Sequence, residues 1–467
     1  MSSYKLLIDG QLVDGAATLD VINPADGKVM ATAPRADVAQ LNQAVAAAKK
    51  AFPAWAALKP EEREAKLNLL ADGIEAQADE FARLLTQEQG KPLPEAQSEV
   101  MGAVFGLRTF GAMRAEPKEL QTTDTARIIE VRKPLGVVAG IVPWNFPVLL
   151  MVMKVGPCLA FGNTMVLKPA PTTPLTTLKF GEIAAGILPA GVLNIIVDEN
   201  DLGSVLTAHP DVAKVSFTGS TATGKKVMQS VASDLKRLTL ELGGNDAAIV
   251  LDDADIKQVA PVLFASAMTN SGQICLATKR VYAHSSHYDE LCDALAILAN
   301  AAVVGDGTEQ GVTMGPLQNK MQYEKVKGFL LNAKEEGTVI AGGEAREGDG
   351  YFIQPTIVRD IPDSARLVRE EQFGPVLPIL KYDDVADAVA RANDSEYGLG
   401  GTVWTSNIER GIEVASQVDS GTIWVNKFLD LPFDVPFRGS KHSGMGGENG
   451  EEAVAAYTQA KIINVAL

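Results

Sequence analysis

Short runs of consecutive apolar residues alternate with helix-forming stretches along the middle of this chain, and this alternation restricts the possible fold more than any other feature. Six runs follow one another from position 135 onwards: LGVVAGIV (135–142), NTMVLK (163–168), VLNIIV (192–197), VAKVSF (212–217), RLTLEL (237–242) and DAAIVL (246–251). A strand that is apolar along its whole length is buried on both faces. The alternation with helices therefore predicts a parallel sheet with helices packed on both sides.

A second series of the same kind follows Gly243, with the runs TKRVYAHS, PVLPILK, GGTVWT and GTIWVN. The 467 residues also exceed the size at which a single hydrophobic core stops growing. We predict two α/β domains joined near Gly243 and Gly244, preceded by amphipathic helices at about 38–52 and 60–87. The C-terminal segment AYTQAKIINVAL predicts a strand that could pair with another subunit.

Charge and composition exclude several classes of partner. The formal net charge of -16 would repel nucleic-acid phosphates and anionic membranes. We find no apolar run long enough for a membrane span or a signal peptide. Three cysteines do not make a disulfide framework, and the four histidines lack metal-ligand spacing. We therefore expect a cytoplasmic protein that binds neither nucleic acid nor membrane and holds no metal.

Cys275 is the first candidate for chemistry. A lone cysteine is usually a small buried hydrophobic residue. Here it stands in NSGQICLATKR, where the small and polar residues 270–273 predict an exposed turn. A thiolate in such a turn would be a good nucleophile toward an aldehyde carbon, because it is soft and partly ionised near neutral pH.

Three further segments each allow a structural and a chemical interpretation. Glu241, in ELGGND, is either a strand-end carboxylate or a general base placed by flexible glycine backbone. PWNFP (143–147) is either an ordinary proline-rich turn or a turn that presents the Asn145 amide to an oxyanion. FTGSTATGKKV (217–227) predicts a strand, a turn and a helix whose N-terminus suits phosphate, although it is not the GxGxxG fingerprint.

Taken together and in this order, the motifs PWNFP, LKPA, FTGS, ELGGN, GQxC, EEQFGPV and PFRGSKHSG resemble those of the aldehyde dehydrogenase superfamily. The resemblance runs from about Leu7 to the C-terminus. It implies an α/β fold with a Rossmann-like cofactor domain (1–118 and 136–242) and an α/β catalytic domain (243–440). It also implies a small oligomerisation arm of strands (119–135 and 441–467), through which the family forms homodimers or homotetramers.

The resemblance implies NAD(P)-dependent oxidation of an aldehyde to the carboxylic acid. Cys275 would form a thiohemiacetal and then a thioester, and Asn145 with the main-chain amide of Cys275 would hold the oxyanion. Glu241 would activate the water that hydrolyses the thioester. Lys154 and Glu448 match positions that assist proton relay in some members of the family.

The resemblance also assigns a set of residues to the cofactor: Trp144, Lys168, Gly219, Ser220, Leu242, Glu371 and Phe373. Pro171 stands where many NAD-preferring members carry a glutamate that binds the ribose hydroxyls. The absence of this carboxylate removes a repulsion against the 2′-phosphate of NADP, but the proline side chain has no hydrogen-bond donor that could bind the phosphate. We predict NAD as cofactor and leave NADP open. A second departure is Gly447, which stands where an arginine is common.

The positions that match the family's aldehyde tunnel are all apolar: Phe146, Met153, Ile274, Leu276, Leu431 and Phe437. They favour a medium-chain aliphatic or aromatic aldehyde, with Arg438 as the one nearby cation that could favour another substrate. The alternatives are a semialdehyde dehydrogenase, an acylating relative that passes the thioester to coenzyme A, and a non-catalytic relative. Glu241 argues against the acylating branch, and Cys275, Asn145 and Glu241 together argue against a non-catalytic one.

Overall fold

The structure is a computed structural model that describes residues 4–467. Its strands are β1 (Leu6–Ile8), β2 (Gln11–Val13), β3 (Ala17–Asn23), β4 (Lys28–Arg35), β5 (Lys118–Thr122), β6 (Ala126–Pro134), β7 (Val137–Ile141), β8 (Thr164–Lys168), β9 (Leu193–Ile195), β10 (Val212–Thr218), β11 (Arg237–Glu241), β12 (Asp246–Val250), β13 (Thr278–His284), β14 (Thr338–Ala341), β15 (Thr356–Arg359), β16 (Val376–Tyr382), β17 (Tyr397–Gly398), β18 (Gly400–Trp404), β19 (Thr422–Val425), β20 (Ser440–Lys441), β21 (Gly444–Met445) and β22 (Thr458–Ala466).

The helices are α1 (Val38–Ala57), α2 (Pro60–Glu75), α3 (Ala78–Gln89), α4 (Leu93–Ala112), α5 (Pro147–Ala160), α6 (Leu175–Ile187), α7 (Gly203–Ala208), α8 (Thr221–Val231), α9 (Ile256–Met268), α10 (Tyr288–Ala301), α11 (Lys320–Glu336), α12 (Arg366–Arg369), α13 (Val385–Asn393), α14 (Ile408–Ala415) and α15 (Gly450–Tyr457). None of these helices is long and apolar enough to cross a membrane.

The first sheet has eight strands in the order β2-β1-β9-β8-β7-β10-β11-β21. The five central strands, β9 to β11, are parallel, and strands β7 and β8 are buried along their whole length. The predicted parallel α/β sheet is therefore confirmed. Its apolar residues, with those of the helices that cover it, form the largest hydrophobic core of the protein.

Strands β7 and β10 are neighbours in this sheet although five other elements of the chain, α5, β8, α6, β9 and α7, separate them in sequence order. From β7 the chain moves outward through β8 and β9, and from β10 it moves the other way to β11. The connections that leave the carboxyl ends of β7 and β10 therefore diverge. Such a switch point leaves a crevice in which open α/β sheets bind ligands.

The second sheet has seven strands in the order β14-β15-β16-β13-β12-β18-β19, parallel except for β14. Hydrophobic clusters cover both of its faces. The loop with Cys275 lies just before β13, and Glu371 and Phe373 lie just before β16. The amino ends of this sheet thus face the carboxyl end of β11, where Glu241 lies, and together they enclose the crevice.

A third sheet of three strands, β22-β6-β5, is built from the predicted arm. Strand β22 pairs with β6 along its whole length, from Thr458 opposite Pro134 to Ala466 opposite Ala126. The rest of the predicted C-terminal arm lies elsewhere: Lys441 pairs with Tyr397, Gly444–Met445 form β21 at the edge of the first sheet, and Ala453 and Tyr457 of α15 belong to the core of that sheet. The division of the chain into domains stays a prediction.

One predicted helix was wrong in length. The helix expected at 60–87 is two helices, α2 and α3, because Gln77 leaves the helical backbone region with φ -120° and ψ 21°. The Gln77 side chain donates to the Gly73 carbonyl and accepts a hydrogen bond from Lys179. A contact with a residue far away in sequence therefore accompanies the break, and the apolar spacing alone does not reveal it.

Candidate active site

Two adjoining cavities lie at the carboxyl ends of β7 and β10. The smaller, of about 280 Å³, contains Cys275, and the larger, of about 560 Å³, contains Lys168. Both are lined by the turn after β7, including Trp144, and by Thr218, Gly219 and Ser220 after β10. The cavities therefore lie at the switch point of the first sheet.

The loop that precedes Cys275 is buried, so the predicted exposed turn was wrong. Asn270, Ser271 and Gln273 are at most 2% exposed. The Ser271 hydroxyl donates to the Gly315 carbonyl, and the Gln273 amide donates to the Asn270 carbonyl. These polar side chains satisfy one another and their neighbours inside the protein, instead of facing water. Cys275 itself is only partly buried and faces the cavity.

Burial also changes the expected state of the thiol. Loss of hydration, with smaller contributions from the charges of Asp246, Glu371 and Glu241, raises the pKa of Cys275 to about 12 against the opposing charge of Lys279. The thiol is therefore protonated at neutral pH in this structure, and the prediction of a partly ionised thiolate was wrong. The cause is general, since a low-dielectric environment disfavours the charged form of any acid.

Asn145 is held in place within the turn after β7. Its side chain is 4% exposed and its amide nitrogen donates to the Gln273 carbonyl at 2.9 Å. An amide group carries two N–H bonds, so one stays available to a ligand. Asn145 and Cys275 line the same cavity, which the sequence alone could not place together.

Glu241 is a buried carboxylate at the end of β11, and neither of its oxygens has a hydrogen-bond partner among the described residues. Burial raises its pKa well above the usual range, and the charge of Glu448 raises it further. Lys154 opposes this shift. The Lys154 ammonium lies 3.0 Å from Glu448 and 3.1 Å from the Ser216 hydroxyl, with no exposure to solvent.

All seven residues predicted to hold the cofactor line the two cavities: Lys168 the larger, Leu242, Glu371 and Phe373 the smaller, and Trp144, Gly219 and Ser220 both. The Trp144 and Phe373 rings meet edge to face, with centroids 5.4 Å apart. Ser220 caps the N-terminus of α8, and its hydroxyl accepts a hydrogen bond from the Thr223 amide.

A dinucleotide fits this pair of cavities. The buried hydroxyl of Thr218 has no partner among the described residues and lies in the wall shared by both cavities. The first amides of α8 lie in the same wall, and helix N-termini suit phosphate groups. Glu371 accepts a hydrogen bond from the Gly244 amide at 2.9 Å, which orients its carboxylate at the smaller cavity. Within residues 4–467, no group of three or more acidic, histidine or cysteine side chains is placed to hold a metal.

Five of the six predicted tunnel residues belong to one apolar cluster that includes Cys275: Phe146, Ile274, Leu276, Leu431 and Phe437. Trp424, Leu399, Leu429 and Ala277 complete the cluster and were not predicted. Met153 lies elsewhere, since it is buried in the core of the first sheet. The alternation of Leu429 and Leu431 with charged residues in KFLDLP is the signal that could have indicated Leu429.

Lys279 is a second site residue that the sequence did not reveal. Its buried ammonium donates to the carbonyls of Ile274 and Cys275 at 2.9 and 2.6 Å and lies 3.9 Å from Glu371. It is also the main opposing charge near Asp246, whose pKa burial raises to about 6. A lysine inside the buried strand β13 was the available signal.

The position of Gly447 explains one departure from the family pattern. A β-carbon there would lie 2.9 Å from the Glu452 side chain and 3.0 Å from the Phe437 carbonyl. The arginine that is common at this position would not fit without a local shift. Glu452 instead pairs with Arg438 at 2.8 Å.

Alkylation by iodoacetamide tests the state of the Cys275 thiol. With a pKa of about 12, the rate is expected to rise about tenfold per pH unit from about pH 7 to about pH 10, since only the thiolate reacts. Asp246→Asn removes a charge that raises this pKa, so it should speed alkylation above about pH 6, where Asp246 is ionised. Mass spectrometry of the Cys275 peptide measures the rate.

The exposed Asp383→Asn is the matched control and should leave the alkylation rate unchanged. A rate that reaches a plateau below about pH 9 would contradict the raised pKa.

Known proteins are similar to this chain over nearly its whole length. A sequence model of the aldehyde dehydrogenase family matches residues 12–463. Phenylacetaldehyde dehydrogenase of Pseudomonas fluorescens is 41% identical over 99% of this chain and 96% of its own length. The NADP(+)-dependent succinate-semialdehyde dehydrogenase of Escherichia coli (strain K12) is 38% identical over 99% of this chain and 98% of its own length.

Solved structures agree with these relatives. The NAD+ complex of an aldehyde dehydrogenase from Bacillus cereus superposes with a TM-score of 0.97 at 37% identity, over 100% of this chain and 97% of that one. The fold is thus the aldehyde dehydrogenase fold, and the chain, which acts as an oxidoreductase on aldehydes, belongs to the aldehyde dehydrogenase family.

Proposed function

We propose that this enzyme oxidises an apolar aldehyde to its carboxylic acid through covalent intermediates on Cys275. The observation that carries the proposal is that Cys275 and Asn145 line one cavity with Ser220 and Glu371. A nucleophile, an amide donor and two residues suited to a dinucleotide thus converge on one space. An apolar cluster packs around the same cysteine.

In the first step the Cys275 sulfur bonds to the aldehyde carbon and the thiol proton passes to a water molecule, while the carbonyl π electrons move to oxygen. The resulting oxyanion accepts hydrogen bonds from the free N–H of the Asn145 amide and from the main-chain amide of Cys275. Because the Gln273 carbonyl already fixes the Asn145 side chain, this donor needs no reorganisation when charge develops.

A nicotinamide dinucleotide bound in the two cavities supplies the acceptor for the hydride that the adduct loses to become a thioester. In this protein Lys168 and Ser220 would hold its adenosine and phosphate portions, and Glu371 and Phe373 would hold the nicotinamide ribose and ring. Lys168 is kept in position by Asp198, whose carboxylate lies 2.5 Å from the ammonium.

In the last step Glu241 takes a proton from a water molecule, which attacks the thioester carbon and releases the acid and the Cys275 thiol. Its raised pKa makes Glu241 a stronger base than an exposed carboxylate. The proton bound by Glu241 then returns to the departing Cys275 sulfur. The Lys154 ammonium, hydrogen-bonded to Glu448 and Ser216, assists this relay with Glu448 by giving up a proton before it takes one. Transfer of the thioester to coenzyme A is the second candidate outcome, and a retained base at Glu241 argues against it.

The charges near the apolar cluster favour an uncharged substrate. Three cations in this region already have an acidic partner: Arg438 pairs with Glu452, Lys427 with Asp430 and Lys91 with Glu99. Lys325, which lines the Cys275 cavity, donates instead to the main-chain carbonyl of Glu371. A semialdehyde would bring a second carboxylate into an apolar environment, where its loss of hydration is costly. A medium-chain aliphatic or aromatic aldehyde would bury its side chain there at no such cost.

Formation of reduced nicotinamide by the purified enzyme tests the activity and the substrate class together. We expect kcat/KM for octanal, benzaldehyde and phenylacetaldehyde to exceed that for succinate semialdehyde and betaine aldehyde by about tenfold or more. Cys275→Ala should abolish turnover, whereas Cys292→Ala, at a buried cysteine far from the cavity, should retain it.

A clear preference for succinate semialdehyde would contradict the substrate class while leaving the mechanism intact. Full activity in Cys275→Ala would contradict the mechanism. If acid forms only when coenzyme A is added and its thioester is then hydrolysed, the acylating reaction would be the correct one.

We infer that NAD is the preferred cofactor and that NADP is also accepted. Pro171 lines the larger cavity with Lys168 and Lys320. Position 171 therefore presents no carboxylate to a bound dinucleotide. Pro171→Glu would place a negative charge where it repels a 2′-phosphate, so it should raise KM for NADP about tenfold or more and leave KM for NAD nearly unchanged.

The uncharged Pro171→Gln is the matched variant for size and should change both KM values little. Initial rates with each dinucleotide at saturating aldehyde measure the effect. An equal rise of both KM values in Pro171→Glu would contradict a position of the ribose 2′-hydroxyl next to residue 171.

We infer that copies of the chain associate through the three-stranded sheet. Strand β22 forms its edge and leaves Ile462, Ile463, Val465 and Leu467 between 39% and 67% exposed. An exposed apolar edge strand is a template for pairing with another chain. We predict a dimer or tetramer, and Ile463→Asp should lower the sedimenting mass.

The control is Ile297→Asp on helix α10, where the isoleucine is 69% exposed and should not affect assembly. Sedimentation equilibrium measures the mass of each form. A monomeric parent protein, or an effect of both substitutions alike, would contradict the role of β22.

A further inference from the structure

A buried ion pair lies beneath the turn that carries Asn145. The Lys91 ammonium and the Glu99 carboxylate are 2.5 Å apart, and neither side chain has any exposure to solvent. Lys91 precedes helix α4, and Glu99 lies within its second turn. Neither is among the described residues that line the Cys275 cavity. The pair therefore acts on the cavity only through other residues.

The ion pair forms hydrogen bonds with main-chain groups at both ends of the turn. Lys91 donates to the main-chain carbonyl of Asn145 at 3.0 Å and lies 3.6 Å from the centroid of the Phe146 ring. The other oxygen of Glu99 accepts hydrogen bonds from the amides of Val148 and Leu149, at 2.9 and 3.1 Å. These are first-turn amides of α5 that the helix itself cannot satisfy.

The same helix also holds the loop before Cys275. Glu95 lies one helical turn before Glu99, and its carboxylate accepts a hydrogen bond from the Asn270 amide at 2.9 Å. Asn270 has a left-handed backbone, with φ 52°. Its side chain donates to the Asn145 carbonyl at 3.0 Å, which is the carbonyl that Lys91 also contacts.

Such a pair is not explained by stability alone. Removing two charges from water is costly, and a buried ion pair is often no more stable than apolar residues of the same volume. The pair instead holds the turn in one orientation, because each charge fixes main-chain groups on either side of Asn145. The contacts reach both groups that must meet in the reaction, the Asn145 amide and the Cys275 loop.

We propose that Lys91 and Glu99 are positioning residues that set the Asn145 amide against the oxyanion formed at Cys275. This inference rests on the proposed function, in which Asn145 is an oxyanion donor. It assigns Lys91 no contact with substrate or cofactor. Loss of Lys91 should therefore weaken only the steps in which negative charge develops on the aldehyde oxygen.

The test is a double-mutant cycle between Lys91→Met and Asn145→Ala. Asn145→Ala should lower kcat by roughly 100-fold or more, and Lys91→Met by about 10- to 100-fold. Because Lys91 acts through Asn145, the double variant should be no slower than Asn145→Ala alone. Two properties should stay within about twofold in Lys91→Met: KM for NAD, and the rate of Cys275 alkylation by iodoacetamide, which forms no oxyanion.

Two further variants separate positioning from folding. Lys91→Met leaves Glu99 as a buried unpaired charge, so Lys91→Met/Glu99→Gln removes both charges and keeps an acceptor for the α5 amides. It should regain the Tm lost in Lys91→Met but not the kcat. Lys179→Met removes another buried lysine, which pairs with Glu80 far from the cavity, and should lower Tm without lowering kcat.

The outcomes distinguish this inference from the proposed function. Losses that multiply in the double variant, or a kcat of Lys91→Met within about twofold of the parent, would overturn the positioning role alone. Full activity in Asn145→Ala would overturn both, since it would remove the oxyanion donor from the mechanism.

Discussion

Adjacent strands β7 and β10 have connections that run in opposite directions, and the rest of the site depends on this arrangement. Open α/β sheets bind their ligands in the crevice at such a switch point, outside the carboxyl ends of the strands. Here the turn at 143–147 and the turn at Gly219–Ser220 diverge, and the space between them forms the two cavities. The amino ends of the second sheet then bring Cys275 and Glu371 against the opening from the other side.

The enclosed position of the site determines its electrostatics. Loss of hydration is the largest cause of the raised pKa of Cys275, Glu241 and Asp246 alike. The proposed nucleophile and base therefore hold their protons more strongly than the same groups would in water. Preorganised donors such as the Asn145 amide also act most strongly in such water-poor surroundings.

The strands and helices were predictable because burial on both faces leaves a continuous apolar run, which is a local signal. Cys275, Glu241 and Asn145 were predictable as candidates because each stands in a motif. Their environment was not. The Asn145 amide is held by the Gln273 carbonyl, 128 positions away, and no local pattern encodes such a contact.

Two of the wrong expectations, the exposed turn at 270–273 and the single helix at 60–87, have the same physical origin. Residues 270–273 have the composition of an exposed turn, yet partners from other parts of the chain satisfy their polar groups and allow them to be buried. The helix break at Gln77 is likewise accompanied by a contact with Lys179. Local propensity is a weak guide wherever distant residues supply the hydrogen bonds.

Backbone strain and buried charge both occur close to Cys275. Asn270 and Ser271 have φ of 52° and 55°, a conformation that costs on the order of 1 kcal/mol each in residues other than glycine. The Lys91–Glu99 pair adds a desolvation cost nearby. The continuous apolar burial of the two large sheets offsets these costs, so the stable part of the fold and the reactive part are different regions of one structure. That separation explains why the sheets follow simple sequence patterns while the site, whose backbone departs from low-energy conformations, does not.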